Sequence, residues 1–180
     1  WDLFTNVYKM DSDRLYVTVF KGDSTDKTNF DQESYDIWKN LISEERILKF
    51  SKKDNFWEMG NTGPCGPSSE IHIDIRSDED RKSVSGKELV NKDHPQVIEL
   101  WNLVFIEYNR TSDGNLEVLK NKHVDTGMGL ERLAMVLQSK NSNYDSDLFL
   151  PLIKRLEKLS KFSYNPSTTK KEQFKINIAF

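Results

Sequence analysis

Two polar residues interrupt a long apolar stretch between Val97 and Asn109, and their chemistry draws attention first. Glu99 and Asn102 lie among leucine, valine, isoleucine and aromatic residues. An unpaired carboxylate or amide buried there would cost about 1–3 kcal/mol per group. The two groups are therefore either solvated or paired locally at a strand end, or they face a ligand or a Mg²⁺ ion. Residues three apart in a regular strand point to opposite faces, so both can line one pocket only if a bulge lies between them.

A second set of acidic groups lies on a segment that alternates between apolar and polar residues. Between Ser69 and Ile75 the isoleucines occupy every second position, and the intervening positions hold Glu70, His72 and Asp74. This alternation predicts a half-buried strand that presents two carboxylates. The simplest interpretation is a solvated outer face. Only the expected proximity to Glu99 favours a functional interpretation, in which these oxygens would help to hold a Mg²⁺ ion.

A junction between a strand and a helix carries the third set of candidates, from Asp125 to Arg132. Gly127 and Gly129 would let a ligand approach the backbone, and the helix N-terminus offers N–H donors to a phosphate. Asp125 could pair with an ammonium group, and Arg132 could bind a phosphate with its planar fork. Without other evidence, an ordinary helix entry, with Asp and Gly present for backbone reasons, is the better interpretation.

The elements that must position these residues can be predicted from periodicity and turn residues. We expect a strand over Leu15–Phe20, one or two amphipathic helices over 31–50, an irregular Gly- and Pro-rich loop over 54–67, and an exposed, charge-dense excursion over 76–93. Residues 97–109 read as a strand covered on both faces. A hairpin turn at Asp113–Gly114 follows, then a helix from Leu130 to Leu137 and a last helix over 145–159. This order predicts an α+β fold with a mainly antiparallel sheet backed by helices.

Composition excludes several classes of protein. The chain has 180 residues, of which 36% are hydrophobic and 31% charged, with no apolar stretch of membrane-spanning length. Aromatic residues make up 11%, which argues against a disordered chain, and a net charge of −3 argues against a protein that wraps nucleic acid. The one cysteine, Cys65, excludes an internal disulfide and fits a reducing compartment. It also leaves a zinc site of the Cys and His type unsupported, and nothing favours it as a nucleophile.

Several longer motifs resemble the alanyl-tRNA synthetase family. They are NFWEMGNTGPCGPSSEI at 55–71, ELWNLVF at 99–105 with YNR at 108–110, VDTGMGLERL at 124–133, and SNYD with DLF at 142–149. The third is similar to that family's form of class II motif 3. Weaker similarity extends from Trp1 to Phe20, so the resemblance covers nearly the whole chain and its motifs occur in the family's order.

The resemblance implies part of a class II catalytic domain, an antiparallel sheet flanked by helices. Residues 1–140 would belong to that domain, without its motifs 1 and 2, and residues 141–180 would begin a helical tRNA-binding region. Trp1 is not a natural start, and the chain ends within an apolar run that begins at Phe174. We therefore expect an excised piece of a longer protein, inactive alone.

The resemblance also implies a reaction and its participants. Alanine and ATP would give alanyl-adenylate and pyrophosphate, and the alanyl group would then pass to the 3′ end of tRNA(Ala) bound by the parent protein. ATP and Mg²⁺ would be required, no membrane would be involved, and the compartment would be the cytoplasm, with an organellar form left open. Since the attacking carboxylate is already ionised, no catalytic side chain is needed and the site acts by positioning.

Individual roles come from the same resemblance. Trp57 would form a wall of the alanine pocket, Asn102 and Asp125 would hold the amino group, and Gly127 would leave room for the methyl side chain. Glu99 would bind Mg-ATP, and as such it is the one metal-binding residue we expect, with Glu70 as a helper. The other ATP-binding residues would be Asn102, Gly129 and Arg132, the arginine of motif 3.

The chain departs from the family pattern in two places, and two alternatives stay open. Ser68 stands where many relatives have a second cysteine, so we expect no zinc in this segment, and Asn61 replaces a more usual aspartate. A non-catalytic paralogue that binds ATP or tRNA would keep the fold but lose site groups first, whereas here they are all present. A free-standing editing hydrolase would need a cluster of His and Cys ligands for zinc, and the sequence has none.

Overall fold

The computed structural model describes residues 1–164, and the chain divides into two units, Trp1–Gly129 and Leu130–Phe180. The apolar run that begins at Phe174, and with it much of the predicted helical region over 141–180, lies outside the described residues. No helix within 1–164 has the length and apolar character needed to cross a bilayer.

The first unit is built on a sheet of six strands. Five strands follow the order β2-β1-β4-β5-β6, and β3 pairs with β4 on the edge that β4 also shares with β1. Only β1 and β2 are parallel, so the predicted α+β fold with a mainly antiparallel sheet is confirmed. The strands are β1 Leu15–Phe20, β2 Ile47–Phe50, β3 Phe56–Glu58, β4 Gly63–Asp74, β5 Val97–Arg110 and β6 Leu116–Met128.

Within residues 1–164, five α-helices accompany the strands. In the first unit α1 begins after Asp31, whose side chain accepts a hydrogen bond from the Ser34 backbone N–H, as a helix-capping residue does. The helices are α1 Gln32–Lys39, α2 Lys52–Asn55 and α3 Asp78–Ser83 in the first unit, and α4 Leu130–Leu137 and α5 Leu150–Ser160 in the second.

Two segments form a different kind of secondary structure from the one predicted. The helical prediction over 31–50 is right for α1 but wrong for Ile47–Phe50, which pairs with β1, because four apolar-rich residues fit either period. The loop predicted over 54–67 is wrong at both ends. At its start α2 and β3 extend to Glu58, and at its end β4 already begins at Gly63. A Cβ on Gly66 would lie 1.9 Å from the Phe105 carbonyl oxygen, so this glycine serves close strand approach rather than a loop.

Strand β4 is buried on both faces, which corrects the half-buried strand predicted from its alternation. Glu70, His72 and Asp74 are 6%, 2% and 0% exposed. On one face α1 covers the sheet, where Trp38 Nε1 donates to Ser69 Oγ at 2.8 Å. Alternation predicts which residues share a face, but it cannot tell whether a second layer covers the polar face.

The connection between β4 and β5 supplies that second layer, so its prediction as an exposed excursion is wrong in part. Val90 is fully buried in a cluster with Tyr16 and Val97. Arg76 is also buried, and its guanidinium pairs with Asp74, with Nη2 and Oδ2 2.7 Å apart. The acidic and basic residues of α3 between these two anchors are largely exposed, as expected.

The remaining predictions are close to the structure. Strand β5 forms, but only three of its residues are buried, so the predicted cover on both faces is incomplete. The hairpin at Asp113–Gly114 and the helix Leu130–Leu137 are confirmed. The last helix begins at Leu150 instead of near residue 145, because proline occupies its first turn, where the missing N–H costs nothing.

Candidate active site

One row across three strands brings together three of the predicted site residues. Glu70 on β4 pairs with Asn102 on β5, and Asn102 pairs with Gly127 on β6. Residues directly opposite in antiparallel strands point to the same face, so these three residues form a continuous strip. We call Glu70, Asn102 and Gly127 the site row.

A bulge in β5 lies beside the site row. Ile71 pairs with Trp101, but the next residue of β4, His72, pairs with Glu99. Leu100 is therefore an extra residue on β5. This is the irregularity that the sequence required if both polar residues of β5 were to line one pocket.

The bulge brings Glu99 to the face of the site row. Its partner His72 is two residues from Glu70 on β4, and residues two apart in a strand share a face. Glu99 and Asn102 thus lie on the same side of the sheet although they are three apart in sequence.

Asp125 extends the strip on β6. It pairs with Val104, which is two residues from Asn102, and it is itself two residues from Gly127. Its Oδ1 accepts from the Thr126 backbone N–H at 2.9 Å, and the residue is exposed. Among the described atoms nothing comes within 4 Å of the place a Cβ on Gly127 would take, so this end of the strip is open.

Glu70 is held by three hydrogen bonds to one oxygen. Thr18 Oγ1, His72 Nε2 and Asn91 Nδ2 each lie 3.0 Å from Glu70 Oε2. Burial raises the pKa of Glu70, but the hydrogen bonds and the nearby imidazole outweigh it, so the net pKa lies below the ordinary glutamate value. The carboxylate is therefore ionised and fixed at neutral pH.

Buried polar atoms without partners mark where the site could receive a ligand. Within residues 1–164 such atoms include Asn102 Oδ1, Asn55 Oδ1 and His72 Nδ1. The two amide oxygens are acceptors, so they suit a donor such as an ammonium group or water. Of these three atoms, Asn102 Oδ1 is the one that belongs to the site row.

The donor set around Glu99 decides whether Mg²⁺ fits this face. Magnesium is commonly bound by one or two carboxylates together with substrate phosphates and water. Glu99 is half-buried and offers one such carboxylate, so the residues fit an ion that arrives with a nucleotide. Residues 1–164 contain no group of three or more His, Cys, Asp and Glu side chains arranged to hold a metal by themselves.

Trp57 lies away from the site row. It pairs with Gly66, four residues along β4 from Glu70, which is about 13 Å at the usual rise of a strand. Its neighbour Phe56 packs with Phe20 and Cys65 in an apolar cluster, so the Trp57 side chain, on the alternate face, points away from that cluster. Burial raises the pKa of the Cys65 thiol, which makes it a poor nucleophile.

A cluster of four charges fixes the strand that carries Trp57. Arg110 donates to Glu58 through Nε and to Asp26 through Nη1 and Nη2, at 3.1 and 2.7 Å for the two bonds to Asp26. Lys52 Nζ lies 2.5 Å from Asp26 Oδ2 and 3.4 Å from Glu58 Oε2. The hydrogen bond from Arg110, against the opposing effect of burial, lowers the pKa of Asp26. The YNR motif thus ends in a residue that ties β5 to β3.

The two remaining predicted residues lie on either side of the boundary between the units. The Gly129 backbone N–H donates to the Leu100 carbonyl oxygen at 3.2 Å, which ties the end of β6 to the bulge. Arg132 lies on α4 in the second unit and is half-buried. The first unit therefore does not contain every residue that the sequence predicts for the site.

Sequence reasoning missed four residues of the buried network: Thr18, Asn55, His72 and Asn91. Thr18 accepts from Asn55 Nδ2 at 2.7 Å, and the same nitrogen donates to the Ser68 carbonyl oxygen at 3.0 Å. A threonine within the apolar run Leu15–Phe20 was a usable signal, because a buried hydroxyl needs a partner. Asn91 gave no such signal, since it lies among charged residues that read as an exposed segment.

Comparisons with known proteins support the family resemblance that the sequence motifs indicate. A family model described as tRNA synthetases class II (A) matches residues 1–179. Proteins named alanine–tRNA ligase are 57% identical over 99% of the chain in Flavobacterium psychrophilum, 59% over 91% in Cytophaga hutchinsonii and 55% over 93% in Christiangramia forsetii. The match covers 20%, 19% and 19% of those three proteins, so the chain spans about a fifth of their length. The chain belongs to the class II tRNA synthetase (A) family.

Proposed function

We propose that this chain is part of an alanine–tRNA ligase and carries its alanine pocket together with one side of its ATP site. The parent protein would activate alanine with ATP and transfer the alanyl group to the 3′ end of tRNA(Ala). Its partners would be alanine, ATP and that tRNA, and its compartment the cytoplasm. The relatives that bear this activity in their names are 55–59% identical over at least nine tenths of the chain.

One observation carries the proposal, the strip of site residues on one face of the sheet. Glu70, Asn102 and Gly127 pair directly, and the bulge at Leu100 adds Glu99 to the same face. Without the extra residue, Glu99 would point to the opposite face, and the carboxylate proposed for Mg-ATP would be separated from the amide proposed for alanine.

The open end of the strip suits the amino acid. Asn102 Oδ1 is a buried acceptor without a partner, and Asp125 supplies a carboxylate two positions from Gly127, so an ammonium group would meet both. The absence of a side chain on Gly127 leaves room for the alanine methyl group. By analogy with the family, Trp57 would form a wall of the pocket, from its place on β3 about 13 Å along the sheet from Glu70.

The remaining residues suit a nucleotide. Glu99 would hold Mg²⁺ together with the phosphates, which supplies charge neutralisation during phosphoryl transfer. Arg132 would bind phosphate through its guanidinium, and Gly129 and Asn102 would line the nucleotide site, with Glu70 beside Asn102 on the neighbouring strand as a helper.

The chemistry then requires orientation rather than a base. An oxygen of the ionised alanine carboxylate bonds to the α-phosphorus of ATP, and the bond to the bridging oxygen breaks, releasing pyrophosphate. In the second step the oxygen of a terminal ribose hydroxyl of the tRNA bonds to the alanyl carbonyl carbon, the bond from that carbon to the phosphate oxygen breaks, and AMP and the hydroxyl proton are released. The side chains of the strip bind, orient and neutralise charge in both steps.

Amino-acid-dependent ATP–pyrophosphate exchange tests the proposal in the whole protein that contains this chain. We expect exchange with alanine and weaker exchange with serine and glycine. A pocket discriminates between two substrates that differ by one methylene group by only about 10–200-fold, so the weaker exchange should still be measurable. If a folded protein that still binds ATP gave no exchange with any amino acid, the ligase hypothesis would be rejected in favour of a non-catalytic paralogue.

A further inference from the structure

Strand β3 places Trp57 on the same face of the sheet as the site row. Trp57 pairs with Gly66, which is four residues from Glu70 on β4, and residues an even number apart in a strand share a face. The register shift between Cys65 and Ser68 takes three steps along β4 but four along β5, so the extra residue belongs to β5. The alternation of β4 is therefore unbroken, and Trp57 projects to the side that carries the proposed substrate residues.

The two neighbours of Trp57 on β3 project to the opposite face and are held there. Phe56 packs against the rings of Phe20 and Tyr108, with centroids 5.2 and 6.4 Å away. The other neighbour, Glu58, belongs to the cluster of four charges. Successive Cβ atoms of a strand point to opposite faces, so fixing both neighbours also fixes the direction in which the Trp57 side chain leaves the backbone.

Arg110 is the member of the charge cluster that bonds both carboxylates through separate nitrogens. Its Nε donates to Glu58, and its Nη1 and Nη2 donate to Asp26 at 3.1 and 2.7 Å. The side chains of Arg110 and Asp26 are each 11% exposed, so water screens this pair little. Lys52 lies beside the same two carboxylates, but an ammonium group is a point charge, whereas the planar guanidinium fixes directions. Arg110 therefore sets where Glu58, and with it β3, is held.

We propose that Arg110 is a positioning residue for amino acid selection, acting through Glu58 on the direction of Trp57. The inference rests on the proposed function, because it takes Trp57 as a wall of the alanine pocket. The link is a direct hydrogen bond from Arg110 to the residue that follows Trp57 in the chain. A wall displaced by about 1 Å fits the alanine methyl group less closely, and displacements of that size can cost about 100-fold in rate.

Two arginine-to-lysine variants of the whole protein form the first test. Arg110→Lys keeps the positive charge, so the carboxylates stay compensated, but an ammonium group cannot reproduce the planar fork. Arg81→Lys is the matched control, because Arg81 on α3 also pairs with a carboxylate, that of Asp78, and its side chain is 20% exposed. In pyrophosphate exchange we expect Arg110→Lys to raise the KM for alanine about 10-fold, in line with one lost bond to a charged group. The KM for ATP should stay within about twofold, and Arg81→Lys should match the unsubstituted protein.

Selection between alanine and serine is the readout that a merely structural role would not move. We expect Arg110→Lys to raise kcat/KM for serine relative to alanine about fivefold, because a less firmly held wall fits alanine worse and excludes the larger side chain worse. A general loss of folded protein would lower both values equally and leave their ratio unchanged. Glu58→Gln removes the charge at the other end of the same hydrogen bond, so it should shift the ratio in the same direction.

A double-mutant cycle tests whether Arg110 acts through Trp57. In the Trp57→Ala background, where the wall is missing, Arg110→Lys should change the KM for alanine by less than about twofold. Additive effects of the two changes would overturn the inference. So would equal KM values for alanine in Arg110→Lys and Arg81→Lys, or an unchanged ratio of serine to alanine. If the unsubstituted protein gave no exchange with alanine, the proposed function would fail and the inference with it, whereas the other outcomes leave that function standing.

Discussion

Strands β4 and β6 both contribute to the site row, but their surroundings are opposite. The ten residues from Cys65 to Asp74 of β4 are all buried, and Glu70 is held by groups of this chain. Strand β6 lies at the edge of the sheet and is largely exposed, with Val118 at 77%. One side of the site is therefore preorganised by its own core, whereas the other presents its residues to solvent. We therefore expect function and stability to be coupled in β4 and separable in β6.

The largest effect should come from the exposed side. In the whole protein we expect Asp125→Asn to lower kcat/KM for alanine activation about 100-fold, because an ammonium group would lose its charged partner. The amide oxygen of asparagine can still accept from the Thr126 N–H, so the free energy of unfolding should stay within about 0.5 kcal/mol. Pyrophosphate exchange and thermal unfolding measure the two quantities. An unchanged rate would remove Asp125 from the amino-group role.

The matching change on the buried side should affect stability. We expect Glu70→Gln to lower the local opening free energy of β4 by about 2 kcal/mol, because three hydrogen bonds to a charged oxygen become weaker bonds to a neutral amide. Amide hydrogen exchange of β4 in the whole protein measures this energy. A β4 that opens as rarely as in the unsubstituted protein would refute the coupling of function and stability on this side.

The same substitution should show a characteristic pH dependence. The folded-state pKa of Glu70 lies below that of the unfolded chain, so its ionised form stabilises the fold at neutral pH. That contribution is lost as the pH falls from the ordinary glutamate range through the folded pKa. The difference between Glu70→Gln and the unsubstituted protein should therefore shrink on acidification, and a difference that grew instead would contradict the lowered pKa.

The smallest effects compare apolar residues on the two strands. Ile71 on β4 is 1% exposed, and we expect Ile71→Val to lower the opening free energy of this strand by about 1 kcal/mol, because the lost methylene leaves a gap in a packed layer. Val118→Thr on β6 keeps shape and β-propensity at an exposed position and should change stability by less than about 0.5 kcal/mol. Hydrogen exchange of both strands provides the comparison. Similar costs at the two positions would show that β6 is covered in the whole protein.

A feature of the fold or of the candidate site could be predicted from the sequence when neighbouring residues alone determine it. The strand Leu15–Phe20 and the hairpin at Asp113–Gly114 follow from local propensity and turn residues, and both are confirmed. The need for a bulge between Glu99 and Asn102 was also predictable from strand geometry. Its position at Leu100 was not, because only pairing with β4 reveals which residue is extra.

The wrong predictions share a different cause: a segment distant in sequence packs against the residues concerned. Glu70 reads as solvated because alternation describes one strand, whereas a later connection bonds to its carboxylate through Asn91 and packs Val90 against Tyr16 and Val97. Likewise Gly66 and its neighbouring prolines read as a loop, because composition cannot show that β5 passes close enough to require a glycine. In each case tertiary packing decides what local preference leaves open.

The extra residue in β5 has a consequence for how relatives of this chain are aligned. Before Leu100 the odd-numbered residues of β5 lie on one face of the sheet, and directly after it they lie on the other. The hydropathy of the whole strand therefore does not follow a single two-residue period. A homologue that lacked one residue between Glu99 and Trp101 would still match most of the motif letter by letter. Its glutamate would nevertheless point to the opposite side of the sheet. Within this strand, the number of residues carries as much functional information as their identities.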